Sequence, residues 1–280
     1  MKQYETIVNL ALLEDTAWGD ITTDSLVKPS VKGTAYITAR AKGIVAGTMV
    51  AEMVFEAVDP CLKTRIIVPD GSGIVPGDRI IRIEGTAASI LKAERVALNF
   101  LQHLSGIATL TSAYVKAVEG LPVKIVDTRK TIPGLRILEK QAVLAGGGKN
   151  HRMHLGDCIL IKNNHIAILR KQGMTITGII KKARKNRTFL PVPIEIEART
   201  IKEAEEAAAA GAEIIMLDNM SPLNMKKAVA RIKGKSIIEA SGGVNLDNVR
   251  RIAETGVDVI SIGTLTHSSC ALDMNLSLES

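Results

Sequence analysis

Residues 123–165 read VKIVDTRKTIPGLRILEKQAVLAGGGKNHRMHLGDCILIKNNH, and two breaks within them decide the architecture. The apolar run 123–126 gives way to Asp127, Thr128, Arg129, Lys130 and Thr131. The second run, 158–161, gives way to Lys162, Asn163, Asn164 and His165. Each run has the length of a buried strand, and each hands over to cationic and amide side chains. Between them lie Gly146, Gly147, Gly148, Lys149, Asn150, His151 and Arg152. Strands that end in this way gather fixed positive charge at one edge of a sheet, where α/β enzymes keep their sites.

Downstream the same rhythm continues. Apolar runs at 193–197, 213–217, 236–239 and 258–262 predict further strands, and helical periodicity falls at 135–144, 175–186, 201–210, 222–232 and 246–254. Alternating strands and helices predict a parallel sheet, closed into a small barrel or left open. The later strands end in Glu197-Ala198-Arg199, Asp218-Asn219, Ala240-Ser241-Gly242-Gly243 and Gly263-Thr264. In a parallel barrel all six ends meet at one rim.

The groups at these ends fall into three kinds. Arg129, Lys130 and Lys162, with Arg152 and His151, suit an anion, arginine being matched to bidentate carboxylate or phosphate. Glu197 and Asp218 offer the hard oxygens that Mg²⁺ prefers when it also holds substrate phosphates. Ser241-Gly242-Gly243 and Gly263-Thr264 follow the last two strands, so backbone N–H groups and a helix N-terminus there can cradle a phosphate. His151 and His154 make an H-x-x-H pair, but no third ligand stands at a zinc-like spacing. The stretch 146–157 is too long for an ordinary αβ loop and is expected to fold across the site.

Upstream the pattern is different. A helix is expected over 1–13, a polar loop at Trp18 to Thr23, strands at 33–38, 42–45, 63–68 and 79–83, and a helix capped by Thr48 through Val58. A long helix then starts at Ser89, with Lys92, Arg95, Asn99 and Gln102 opposite its apolar stripe. Pattern alone reads Arg95 as a solvated arginine. This is a small α+β domain. Residues 271–280 carry no strong pattern.

Composition agrees with an enzyme built on an aliphatic core: 46% of the 280 residues are hydrophobic and only 2% aromatic. Cys61, Cys158 and Cys270 are widely spaced, which indicates neither a disulfide framework nor a zinc knuckle and fits a reducing cytoplasm. The N-terminal residues lack the design of a secretory signal, and no run approaches the ~20 apolar residues of a membrane span. A cytoplasmic protein is expected. The net charge of +7 raises nucleic acid as a partner, but the densest basic run, Lys181 to Arg187, sits at a helix end without aromatic interleaving and reads as a solvated face.

At these residues the chain closely resembles the quinolinate phosphoribosyltransferases, or carboxylating nicotinate-nucleotide pyrophosphorylases. The matching blocks are Trp18-Gly19-Asp20-Ile21-Thr22, Ala39-Arg40-Ala41-Lys42-Gly43, Glu94-Arg95 with Asn99, and Leu104-Ser105-Gly106-Ile107-Ala108-Thr109. They continue with DTRKTIPGLR from Asp127, GGGKNHR from Gly146, LIKNNH from Leu160, Glu195 with Glu197, LDN at Leu217, ASGG from Ala240 and IGTLTH from Ile262. The resemblance implies an N-terminal α+β open sandwich over 1–106, with the tail 268–280 packed on it, and an incomplete (β/α)6 barrel over 107–267. It implies a homodimer in which Arg95 reaches the partner's site. Arg129, Arg152, Lys162 and His151 would hold the two carboxylates of quinolinate. Thr128 would also contact substrate. Lys130, Glu197 and Asp218 would serve phosphoribosyl pyrophosphate and its Mg²⁺, directly or through water or pyrophosphate. Ser241, Gly242, Gly243, Gly263, Thr264 and Leu265, near His267, would hold the 5-phosphate. His154 departs from the small residue usual at its position.

The implied reaction joins the pyridine nitrogen to C1 of the sugar as pyrophosphate leaves, then releases CO₂ to give nicotinate mononucleotide. Two alternatives stay open at this point. One is a relative of the same fold associated with molybdenum transport, and the other a Schiff-base barrel aldolase using Lys162.

Overall fold

The structure, a computed structural model, describes residues 2–187 and 191–279. Its elements in order are α1 (Lys2–Thr16), α2 (Ile21–Leu26), β1 (Lys32–Ala39), β2 (Gly43–Ile44), α3 (Thr48–Val58), β3 (Lys63–Ile66), β4 (Gly73–Ile74), β5 (Arg79–Thr86) and the 31-residue α4 (Ala87–Ala117). The βα repeats follow as β6 (Lys124–Val126), α5 (Arg136–Ala145), β7 (Ile159–Ile161), α6 (Asn163–Lys171), α7 (Ile176–Asn186), β8 (Ile194–Ala198), α8 (Ile201–Ala209) and β9 (Ile214–Asp218). Last come α9 (Pro222–Ile232), β10 (Ile237–Ser241), α10 (Val249–Ala253), β11 (Val259–Ser261), the single turn α11 (Thr264–His267) and β12 (Met274–Glu279). The chain divides into two compact units: Met1–Ser112 with Thr131–Gly147 and Leu265–Ser280, and Ala113–Lys130 with Gly148–Thr264.

In the first unit β12, β1, β5 and β3 form an antiparallel sheet in that order. Ala35, Ile37 and Ala39 alternate along β1 as a buried row, the period-two pattern of a sheet with one face on a core. The tail read as patternless is an edge strand, paired with β1 from Thr34↔Glu279 to Ala39↔Met274. Only Met274 of that strand is fully buried, so its hydrophobic signal is weak. Gln102, read as a polar-face residue, donates from Nε2 to Met274 O at 2.8 Å, while Leu272 N–H donates to Gln102 O at 2.9 Å. Gly106 lets this segment approach the helix, since a Cβ there would lie 2.1 Å from Cys270 O.

Two local expectations are corrected here. Residues 21–26, taken as loop, form the helix α2, because the Asp20 carboxylate accepts from Thr23 N–H at 2.9 Å as an N-cap. Thr48 does not cap α3. The N-cap is Gly47 at φ +95°, and both N–H groups there donate to Asp70, at 2.9 Å from Gly47 and 3.0 Å from Thr48. An acid 22 residues away thus does the work assigned to the local threonine.

The second unit is a six-stranded parallel sheet in the order β6-β11-β10-β9-β8-β7. The order ends on β6 and β7, which do not pair with each other among the described residues, so this is the incomplete (β/α)6 barrel rather than a closed one. Ile194, Ile196, Ile215, Leu217, Ile238 and Ile260 are fully shielded from solvent, each worth about 1.5–3 kcal/mol by apolar burial. The helix α6 was not foreseen: the run after Ile161 enters a helix at once, with Lys162 as its N-cap. Among the described residues no helix is long and apolar enough to cross a membrane.

Candidate active site

Strand register puts the carboxyl ends of the second unit's strands on one rim, because Ser241 pairs with both Asp218 and Ser261, and Ser261 with Val126. Glu197 pairs with Met216 one strand further on. Asn163 ties two of these ends together. Its backbone N–H, the first of α6, donates to Glu197 Oε2 at 2.6 Å, and its Nδ2 donates to Asp218 Oδ2 at 2.9 Å. A helix N-terminus leaves such N–H groups without intrahelical partners, so Glu197 satisfies one of them. Asp218 also accepts from Asn219 Nδ2 at 3.1 Å and lies 3.6 Å from Arg199 Nε. The result is a pair of fixed, partly exposed carboxylates whose hard oxygens fit Mg²⁺.

Of the cations, Lys162 follows β7, the neighbour of β8, whereas Arg129 and Lys130 follow β6 at the other end of the strand order. Lys130 and Lys162 are exposed; Arg129 is half-buried, and its Nε is enclosed without a hydrogen-bond partner. Lys130 N–H donates to Thr128 Oγ1 at 3.0 Å, which turns the chain as it leaves β6. Lys162 has none of the desolvation that a Schiff-base lysine needs, which weighs against the aldolase.

The turn after β10 explains its glycines. Gly242 has φ +93° and Gly243 φ +64°, and a Cβ on Gly242 would stand 2.3 Å from Asn219 Oδ1. Asn219, itself at φ 53°, donates its N–H to Ser241 O at 2.9 Å. The helix N-terminus expected beside Gly243 is absent from that position. Asn245 and Asn248 hold a loop instead, Asn248 Nδ2 donating to Gly243 O at 2.9 Å, and α10 starts only at Val249. Gly263 leads directly into α11, which is one turn long; Leu265 in it is buried and His267 exposed. Leu265, His267 and Arg95 belong to the first unit, where Arg95 is exposed on α4 as its helical spacing foretold.

The segment 148–157 fills the space beside β6. Lys149 bridges Val126, with its N–H on Ile125 O at 2.9 Å, and buried Asp127 accepts from His151 N–H at 2.9 Å. The His151 ring reaches two buried carboxylates, Nε2 lying 3.4 Å from Glu195 Oε2 and 3.3 Å from Glu239 Oε2. Burial works to lower the basicity of this ring, but its hydrogen bonds to Glu195 and Glu239 prevail and push it up to about 10. Burial raises Glu239 as well. Arg152 N–H points at His151 Nδ1 from 2.8 Å, and Arg152 Nη1 donates to Cys158 O at 3.2 Å. An imidazolium with two carboxylates, or a neutral ring with one carboxylate protonated, carries the same number of protons, so the cluster titrates as a unit. The backbone bond at Nδ1 suits the second form.

Glu195 and Glu239 stand two residues before Glu197 and Ser241 on the same faces of their strands, hence about 6–7 Å beneath the rim. With His151, Arg152, Lys124, Ile214, Ile237 and Val259 they line a cavity of about 470 Å³ at the amino ends of the strands, so His151 and Arg152 lie beneath the rim. Sequence reading missed Asn163, Asp127 and Glu239 as functional residues. A glutamate inside the apolar run Ile237-Ile238-Glu239-Ala240 is the signal that could have found the last. The basic run of α7 is a solvated face, with Lys181, Lys182, Arg184 and Lys185 exposed, although Arg184 also donates to Gly211 O at 2.5 Å and Arg187 to Val192 O at 2.8 Å.

Comparison with known proteins agrees with this geometry. The family model "Quinolinate phosphoribosyl transferase, N-terminal domain" matches residues 20–105, and the model of the C-terminal domain matches 107–277. The chain is 42% identical to "Quinolinate phosphoribosyltransferase [decarboxylating] 2, mitochondrial" of Nicotiana glauca, over 98% of its own length and 81% of that protein's. It is 40% identical to the "Probable nicotinate-nucleotide pyrophosphorylase [carboxylating]" of Bacillus subtilis (strain 168), over 99% and 93%. The crystal structure of NadC from Streptococcus pyogenes superposes with a TM-score of 0.92 at 40% identity, covering 99% of this chain and 96% of that one. The chain therefore belongs to the quinolinate phosphoribosyl transferase family.

Proposed function

We infer that this protein transfers the phosphoribosyl group of phosphoribosyl pyrophosphate to the ring nitrogen of quinolinate and releases pyrophosphate and CO₂, forming nicotinate mononucleotide. The observation that carries the reading is the rim itself: two carboxylates locked through Asn163, with Lys162 on the end of the adjoining strand and Arg129 and Lys130 after β6. Arg129, Arg152 and Lys162 neutralise the dicarboxylate and hold its nitrogen toward the sugar. Glu197 and Asp218 face the sugar carbon as it gains positive character, and Lys130 meets the departing pyrophosphate. The open turn at Gly242 and Gly243 brings backbone close to the sugar phosphate. Glu197 and Asp218 would hold Mg²⁺, which when bound screens the charge of the pyrophosphate. Once the nitrogen is glycosylated, its positive charge stabilises the electron pair left at the ring carbon as CO₂ departs, and a proton from solvent completes the new C–H bond, so no covalent enzyme nucleophile is required.

Assembly as a homodimer with Arg95 supplied to the partner's site is part of the same proposal, supported by the exposure of Arg95 on α4. So is a cytoplasmic location, supported by the absence of a membrane-spanning helix among the described residues. The decisive assay mixes the protein with quinolinate, phosphoribosyl pyrophosphate and Mg²⁺. Formation of nicotinate mononucleotide with an equal amount of CO₂ is expected; no turnover of quinolinate would refute the reading.

A further inference from the structure

Two glutamates beneath the rim are among the most enclosed charged groups of the described residues: Glu195 is 0% and Glu239 2% exposed. Both direct Oε2 at one nitrogen, His151 Nε2, and both leave Oε1 enclosed without a hydrogen-bond partner among the described residues. The Ser261 hydroxyl is close enough to favour the charged form of Glu239 but falls short of hydrogen-bond geometry. Isolated buried oxygens of this kind are unfavourable, and hydrophobic residues of similar volume would serve a purely structural interior better. The Oε1 atoms are also closed to solvent, so they do not await a ligand from the cavity below.

Following the bonds outward gives them a purpose. Glu195 and Glu239 fix the ring through Nε2, and Nδ1 of the same ring receives Arg152 N–H at 2.8 Å. Asp127 pins the His151 N–H from the other side, and Arg152 Nη1 is braced on Cys158 O. Arg152 is thereby held at its backbone and its guanidinium.

We infer that Glu195 and Glu239 are positioning residues of the transfer reaction: from one layer beneath the rim they hold His151, and through it the backbone of Arg152, below the dicarboxylate. The inference rests on the reading of the rim as the site of that transfer. It separates the two substrates, because neither glutamate supports the residues assigned to the pyrophosphate or the sugar phosphate.

Steady-state kinetics and thermal melting of Glu239→Leu and Glu239→Gln test it. Removing one carboxylate leaves a single carboxylate facing a single imidazole, so melting temperatures at or above wild type are expected. The KM for quinolinate should rise about tenfold in Glu239→Leu and less in Glu239→Gln, which keeps an acceptor for Nε2–H; the KM for phosphoribosyl pyrophosphate should stay within about twofold. Equal rises in both KM values, or unchanged kinetics in both variants, would overturn the inference while the function stands. If Glu239→Leu does not fold, the Glu239→Gln values decide by the same criterion. A wild-type protein that fails to turn over quinolinate refutes the underlying reading instead, before any variant is made.

Discussion

In the first unit His103 Nε2 meets Glu139 Oε1 at 2.9 Å, and the second oxygen of that fully buried carboxylate accepts Ile132 N–H at 3.2 Å. In the second unit His151 Nε2 is divided between Glu195 and Glu239 at 3.4 and 3.3 Å, and each carboxylate keeps one enclosed oxygen without a partner. The chemistry is the same, an imidazole against a carboxylate away from water. One arrangement is complete and closes the turn that enters α5. The other holds more acid than its imidazole can satisfy. A satisfied buried pair locks local structure, and an unsatisfied one persists where something other than stability retains it.

The largest effect that would break this comparison concerns the complete pair. Glu139→Ala strips His103 and Ile132 N–H of their acceptor together and leaves a cavity beside them. A loss of about 3–5 kcal/mol is expected, seen as an early denaturant midpoint, with the KM values of the surviving folded protein unchanged. A midpoint equal to wild type would show that the pair does not staple the turn.

The next effect belongs to the incomplete region, where Arg129 Nε is likewise enclosed without a partner. If the half-buried guanidinium of Arg129 is kept for the dicarboxylate, Arg129→Ala should lower quinolinate affinity about 100-fold, the size of one or two charge-assisted hydrogen bonds, and leave the melting temperature nearly unmoved. Titration calorimetry with quinolinate reads the first quantity and a thermal scan the second. A variant that melts early but binds normally would put Arg129 on the structural side of the divide.

Much of this was legible in the sequence because strand ends are local features. The runs ending in Asp127, Lys162, Glu197, Asp218 and Ser241 each announce a strand and its polar exit, and parallel topology does the gathering. Pairings between distant residues were not legible. Asp70 capping α3, Asn163 joining Glu197 to Asp218, and Glu239 reaching His151 all link positions at least 22 residues apart, and nothing in the local pattern states the partner. The strand β12 escaped for another reason, since an edge strand with a single fully buried side chain shows little hydrophobic periodicity.

The smallest effect sharpens the comparison through pH. His151 is pushed up to about 10 from its ordinary 6.5, so the folded state binds a proton that the unfolded chain releases first. Stability from this source is complete below about 6.5 and is lost as pH rises toward and through about 10. While the two states differ by one proton, the slope is at most about 1.4 kcal/mol per pH unit. Glu239, raised by burial, acts with the same sign over a window that opens at its ordinary 4.5, so the alkaline limb above 6.5 belongs to the cluster as a whole. Replacing His151 by Gln should flatten that limb in denaturation measured from pH 6.5 to 10. A limb that survives the replacement would mean that the extra acid around His151 holds no proton, and the contrast between the two pairs would rest on geometry alone.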